Sequence, residues 1–418
     1  MMVINLLAAL MALLPVAENS DSSVTEAPSH YSVGASANVS TLLGRKDYGV
    51  DLVKKHSAQF YSVFVDWRAN EADNSIDDRI YGYPTLEAGL LLGDFHNVRL
   101  RRENPETPYF SKLGYEWAAY ASFRRDVLKT DRFAAGYAFG NGLGISTKPY
   151  DKETNVDNEF IGSRLSIYIG LDLYAIYNIN KVWSAGMGFE FKHFSNSALD
   201  RPNKGANAIG LAARVVYHPD GNLERRTINS SQDDVPEFEG KGFYVDVGTS
   251  WGGKALLDDW LIYYYSTPET DSHYKTDDYK VYSIWGISAA PMYRYSRKYA
   301  SGIGLDYYYS DYTERTKEVD ILRGHPGYRY SKHILGLSLR HEAFYKQVSV
   351  MMGLGYYLHK KAGYIADVDE KPYYELAGLK YYPKWLGGNI YMGYNVKAHL
   401  LKADCFEVRL GMRLKGRK

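Results

Sequence analysis

Alternation with a period of two residues runs through almost the whole chain, in segments of about 10–14 residues. Over 164–177 the odd positions are Leu165, Ile167, Ile169, Leu171, Leu173, Ala175 and Tyr177, while the even ones include Arg164, Ser166, Gly170 and Asp172. Successive side chains on a strand point to opposite faces, so one face is hydrocarbon and the other carries charge, hydroxyl and glycine. The pattern returns at 389–400, with Ile390, Met392, Tyr394, Val396, Ala398 and Leu400 on one face. It returns again at 404–414, with Phe406, Val408, Leu410, Met412 and Leu414 against Glu407, Arg409 and Arg413. Soluble sandwiches alternate too. These segments are longer than ordinary strands and reach across a bilayer at a tilt. Charge in mid-strand suits a polar lumen, and Tyr and Trp crowd segment ends such as Tyr381-Tyr382-Pro383-Lys384-Trp385, where aromatic girdles sit. A sheet in lipid must close, because an open edge leaves backbone groups unpaired. The expected fold is all-β, a transmembrane antiparallel β-barrel of about 14–16 strands, with an eight-stranded barrel plus a second barrel as the alternative.

The remaining composition narrows the class. Lys and Arg number 50 against 49 Asp and Glu, so no net field recruits nucleic acid. The single cysteine, Cys405, excludes a disulfide framework and a Cys-cluster metal site, and no metal or cofactor is expected. Residues Val3 to Leu14 are apolar and Pro15-Val16-Ala17 offers a cleavage point, so 1–17 reads as a secretory signal. Beyond it no apolar run approaches the roughly 18 residues of a membrane helix.

Seventeen segments carry the strand pattern, near 30–40, 56–67, 80–95, 113–125, 131–147, 159–177, 181–195, 207–218, 241–251, 257–266, 279–296, 299–312, 329–344, 346–359, 371–383, 387–400 and 403–414. Even numbers are favoured in bacterial barrels, so about sixteen are expected, with the weakest pattern across 241–266. Tight turns at Asn178-Ile179-Asn180 and Arg297-Lys298 read as periplasmic, and the long polar segments 96–112, 148–158 and 313–328 as extracellular. The polar stretch 219–240 breaks this rule. It divides the chain into barrel strands within 18–218, a connector at 219–240 and further strands over 241–418. Closure belongs to the whole sheet, so one large barrel is preferred.

One strand carries chemistry. In 181–195, Glu190 and Lys192 fall on the polar face, where a lumen ion pair is expected. His193 and Ser195 fall on the hydrocarbon face, at the extracellular end. After the loop, Asn207 shares that face and abuts them if the two strands pair. Polar groups facing lipid cost free energy unless they are paired. A serine, a base and an orienter in hydrogen-bond reach is the arrangement of acyl transfer. Asn196, Asn203 and the loop amides are nearby oxyanion donors, and Asp200 is the next candidate to orient His193.

His193-Phe194-Ser195-Asn196, then Pro202-Asn203-Lys204-Gly205 and Asn207, resembles the lipid A 3-O-deacylase (PagL) family of outer-membrane barrels. The likeness covers about residues 80–218, including the stretch Tyr150 to Ser166 before the motif strand. It implies an outer-membrane esterase of a Gram-negative bacterium that removes an ester-linked acyl chain from lipid A of lipopolysaccharide. His193 and Ser195 match the family's catalytic pair; Asn196, Asn203 and Gly205 match its oxyanion and binding motif. The family's triad acid is a Glu, whose position here is Asn207. The family barrel has eight strands and would end at 218, which leaves 241–418 without an assigned role. The competing function is a catalytically silent structural barrel or a pore.

Overall fold

Two closed sheets, rather than one, take up the alternating strands. The structure is a computed structural model that describes residues 30–44, 46–47, 50–69, 75–102, 107–221, 237–368 and 372–415. The signal expected at 1–17 and residues 222–236 of the polar connector lie outside the described residues. The chain divides into two compact units, with the short segment Ser197–Arg201 grouped with the second.

The first unit is an eight-stranded antiparallel barrel of β1 (Tyr31–Leu42), β2 (Ser57–Arg68), β3 (Thr85–Asp94), β4 (Tyr115–Lys129), β5 (Phe133–Ser146), β6 (Leu165–Asn178), β7 (Trp183–Ser195) and β8 (Ala206–Tyr217). Each strand pairs with its successor, and β8 closes on β1 from Val33↔Tyr217 to Leu42↔Ala208. The second unit repeats the plan with β9 (Gly242–Ala255), β10 (Val281–Arg294), β11 (Tyr299–Ser310), β12 (His333–Tyr345), β13 (Val348–His359), β14 (Tyr373–Tyr381), β15 (Ile390–His399) and β16 (Lys402–Lys415). It closes β16 on β9 from Tyr244↔Lys415 to Gly253↔Phe406. The architecture is thus the alternative of an eight-stranded barrel plus a second barrel. The preferred single large barrel is corrected. Alternation decides which residues face in, whereas closure depends on which distant strand meets β1.

The strand expected at 257–266 is a helix (Leu257–Tyr265). Asp258 and Asp259 sit in its first turn, where the helix dipole favours negative charge. Arg315 Nε donates to Asp259 at 2.7 Å, and Trp260 packs on Tyr264 one turn later at 4.4 Å between centroids. Arg315 belongs to a second helix (Tyr312–Leu322) within the segment expected as a polar loop. The expected strand near 80 begins at Thr85, after a short helix (Ile76–Ile80) whose N-cap Ser75 accepts from the Asp78 N–H.

Both barrels are polar inside and apolar outside. Leu173, Met187, Leu211, Leu339 and Leu410 are exposed on outer faces, which suits hydrocarbon rather than water. In the first lumen Glu87 accepts from Arg214 at 2.6 Å and from the Tyr120 hydroxyl at 2.8 Å, and Lys192 pairs with Glu190 at 2.6 Å. In the second, Lys380 lies 2.7 Å from Asp246 and 3.3 Å from Glu342. Tyr391 and Tyr382 donate to the same two carboxylates, and Arg340 pairs with Asp306. Buried charges persist when paired and hydrogen-bonded, as these are. Tyr374, Tyr391, Lys380 and Lys397 are fully buried, so side chains fill the second lumen. Cys405 is a buried free thiol among them.

Candidate active site

Strand β7 alternates at its outer end between an anchored residue and two outward ones. Phe194 points inward and is fully buried against Tyr168, Phe60 and Phe95, with centroids 5.2, 6.3 and 6.5 Å away. That ring cluster fixes the register, because a one-residue slip would send Phe194 out and its neighbours in. His193 and Ser195 therefore share the outer face. Pairing of β7 with β8 sets His193 directly opposite Asn207, and pairing with β6 sets Ile167 opposite Ser195 and Ile169 opposite His193.

The three polar residues form one chain. His193 Nδ1 lies 2.7 Å from Asn207 Oδ1, and His193 Nε2 lies 3.0 Å from Ser195 Oγ. The Asn207 amide nitrogen faces the Gly205 carbonyl at 3.5 Å, which turns the amide oxygen toward the ring. An amide oxygen only accepts, so the proton of neutral His193 sits on Nδ1. That leaves the Nε2 lone pair facing the Ser195 hydroxyl. His193 is half-buried and Ser195 is 5% exposed.

The other motif residues build the turn beside this chain. Asn203 Oδ1 accepts from the Asn196 backbone N–H at 3.1 Å, and Asn196 Nδ2 donates to Ser163 Oγ at 3.1 Å. Asn196 Oδ1 is buried with no hydrogen-bond partner among the described residues. Gly205 takes φ +74°, and a Cβ there would stand 2.9 Å from His193 Cε1. Its N–H donates to the Phe160 carbonyl at 2.9 Å. The resemblance places Gly205 in the oxyanion and binding motif; in the structure its amide is given to Phe160, and its lack of a side chain leaves room for the His193 ring. Gly205→Ala should therefore lower any activity of the site by roughly tenfold, since left-handed strain and a clash fall together on the ring. Initial rates beside an unchanged circular dichroism spectrum check this.

Sequence reasoning missed the support under the turn. Glu159, the first residue of the segment expected as a strand over 159–177, is 2% exposed and forms an ion pair with Lys204. The Lys204 N–H also donates to the Glu159 carbonyl at 3.1 Å. Asn158 Oδ1 accepts from the Phe160 and Ile161 amides at 3.2 and 3.3 Å, and Asn155 Nδ2 donates to the Pro149 carbonyl at 2.7 Å. Residues 155–160 thus hold the motif turn from below. Asp200, the alternative orienter, accepts from the Arg201 N–H at 2.7 Å, and burial pushes its carboxyl up to about 6. The ring nitrogen it would need is held by Asn207.

A family model described as lipid A 3-O-deacylase (PagL) matches residues 107–216, which carry the whole polar chain. A second, described as acyloxyacyl hydrolase, C-terminal domain, matches residues 244–416, nearly all of the second barrel. No curated protein matches the sequence. Among solved structures the chain is similar to an outer membrane channel from Pseudomonas putida F1, at 10% identity over 95% of this chain and 100% of that one, with a TM-score of 0.21. It is also similar to OccAB1 from Acinetobacter baumannii, at 10% identity over 95% and 99% of the two chains, with a TM-score of 0.23. The ferric enterobactin receptor PfeA shares 9% identity over 90% of this chain and 54% of the receptor, with a TM-score of 0.23. Such low scores carry over no common architecture. With the two family models matching most of its length, the chain belongs to the lipid A 3-O-deacylase (PagL) family of outer-membrane barrel ester hydrolases.

Proposed function

We propose that this protein hydrolyses an ester-linked acyl chain of lipid A in the outer membrane of a Gram-negative bacterium, with Ser195 as nucleophile and His193 as base. The observation that carries the reading is the hydrogen-bonded chain Asn207–His193–Ser195 on the outward face of β7. Met187, 72% exposed, and Phe189 lie on the same face, so an acyl chain lying along hydrocarbon would meet Ser195 without leaving the lipid. His193 Nε2 takes the hydroxyl proton as Ser195 Oγ attacks the ester carbonyl carbon. The protonated ring then returns that proton to the departing sugar oxygen as the carbon–oxygen bond breaks. Water repeats the cycle on the acyl-enzyme and releases the fatty acid. Asn196 Nδ2 holds a second hydrogen beyond the one given to Ser163, and with Asn203 Nδ2 it is the donor we assign to the oxyanion.

An amide at 207 orients the ring but adds no charge to stabilise the imidazolium. Asn207→Ala should lower the rate roughly ten- to a hundredfold, a share of what general-base catalysis contributes. Asn207→Glu should match or exceed wild type. The charge costs about 0–1 kcal/mol near the headgroup zone, less than the carboxylate returns in the transition state. Mass spectra of lipid A from cells with and without the protein, with fatty-acid release by the variants in micelles, provide the test. Lipid A of unchanged mass, with steady conductance in planar bilayers, would replace the enzyme with a pore. An Asn207→Ala rate equal to wild type would remove Asn207 from the mechanism.

A further inference from the structure

A short ribbon at the Ser195 end of the first barrel concentrates positive charge on one face. Val53–Lys55 pairs antiparallel with Arg99–Leu100, with Val53 opposite Leu100 and Lys55 opposite Arg99. The register shifts between Val53 and Lys55, so Lys54 is the extra residue of a bulge, and two lysines oppose one arginine. The Arg101 N–H donates to the Leu52 carbonyl at 2.8 Å and lengthens the ribbon by one pair. One face is apolar: Leu52, Val53, Val98 and Leu100 are buried in a cluster that includes Phe95, Phe160 and Phe194. Phe194 is the residue between His193 and Ser195, so the ribbon packs over the barrel end that carries the polar chain. The other face exposes Lys54, Lys55 and Arg99, with Arg101 half-exposed.

Like charges directly opposite one another on a sheet destabilise it. The buried face would be served by any polar residues at 54, 55 and 99. The nearest preceding acid of the second ribbon strand, Asp94, is engaged by His96, whose Nδ1 lies 2.5 Å from its carboxylate. Among the described residues none of Lys54, Lys55, Arg99 and Arg101 has an ion-pair partner. Guanidinium and ammonium groups set side by side are suited to phosphate oxygens.

We infer that this ribbon binds phosphate borne on the saccharide end of a lipid A-type glycolipid. The inference rests on the deacylase reading for the identity of the lipid and on the ribbon for the charge it recognises. The phosphate belongs either to the molecule being hydrolysed or to a glycolipid packed beside it.

The test uses full-length protein in neutral-detergent micelles, with Ser195→Ala to prevent turnover. It compares bisphosphorylated lipid A with the same lipid chemically dephosphorylated. The Ser195→Ala protein should bind the phosphorylated lipid roughly ten- to a hundredfold tighter at low salt, and added NaCl should narrow the gap. Adding Lys54→Gln, Lys55→Gln and Arg99→Gln should close it. With Ser195 restored, a raised KM for single lipid A molecules at unchanged kcat assigns the phosphate to the substrate itself. An unchanged KM, with loss of rate stimulation by added phosphorylated lipid, assigns it to a neighbour. Equal binding of the two lipids by the parent protein, or a gap that survives the triple change, overturns the inference. Lysines on an exposed edge also deter edge-to-edge pairing, and a triple variant that aggregates with its phosphate gap intact would leave only that role. Binding needs no hydrolysis, so a preserved gap beside no fatty-acid release by wild type would sink the deacylase reading alone.

Discussion

Alanine at Ser195 should abolish fatty-acid release from lipid A, a loss of about 10⁴-fold or more if Ser195 is the nucleophile. His193→Ala should do the same, since the hydroxyl is a weak nucleophile without the base 3.0 Å away. Both residues act in one transition state, so the double variant should be no slower than either single. The barrel itself should be unaffected. Phe194, not its neighbours, holds the strand in register, and the characteristic heat-modifiable mobility of folded barrels in gels provides the control. Retained turnover in Ser195→Ala would require another nucleophile.

The second large effect concerns stability. Lys380→Met should destabilise the second barrel by about 3–5 kcal/mol, the cost of leaving buried carboxylates without their partner. Lys380 is 2% exposed and stands between Asp246 and Glu342. Adding Asp246→Asn should restore part of the loss, because one of the two stranded charges is then gone. Denaturant titration in micelles, followed by tryptophan fluorescence, measures both. A Lys380→Met midpoint equal to wild type would mean that Arg413 and Arg409 alone balance the two acids.

What was legible in the sequence follows from the range of the physics involved. Side-chain direction on a strand is local, so the shared face of His193, Ser195 and Asn207 could be read from alternation and one loop. The number of barrels could not. It turns on Tyr217 meeting Val33, a pairing across the whole first unit that no local pattern encodes. The helix Leu257–Tyr265 was hidden by Trp260, Ile262 and three consecutive tyrosines, whose strand tendency lost to its buried acids and their arginines. Tyrosine serves two places. The girdle explanation covers strand ends, but Tyr120, Tyr174, Tyr374 and Tyr391 point inward and give their hydroxyl protons to lumen carboxylates. Glu159 carried no signal beyond being acidic. Its importance lies in being buried against Lys204, a partner 45 residues away.

An orienting amide at position 207 also changes how such a site responds to acid. A carboxylate in that place would itself take up a proton at low pH, so a triad built on one loses two groups in succession, the orienter and the base. Asn207 has no proton to gain over that range. The resting chain Asn207–His193–Ser195 carries no formal charge, and only the imidazole titrates. The acid limb of kcat/KM should then follow a single ionisation, with a limiting slope of one on a logarithmic plot. Asn207→Glu would add a second ionisation to that limb, trading a faster plateau for a steeper fall.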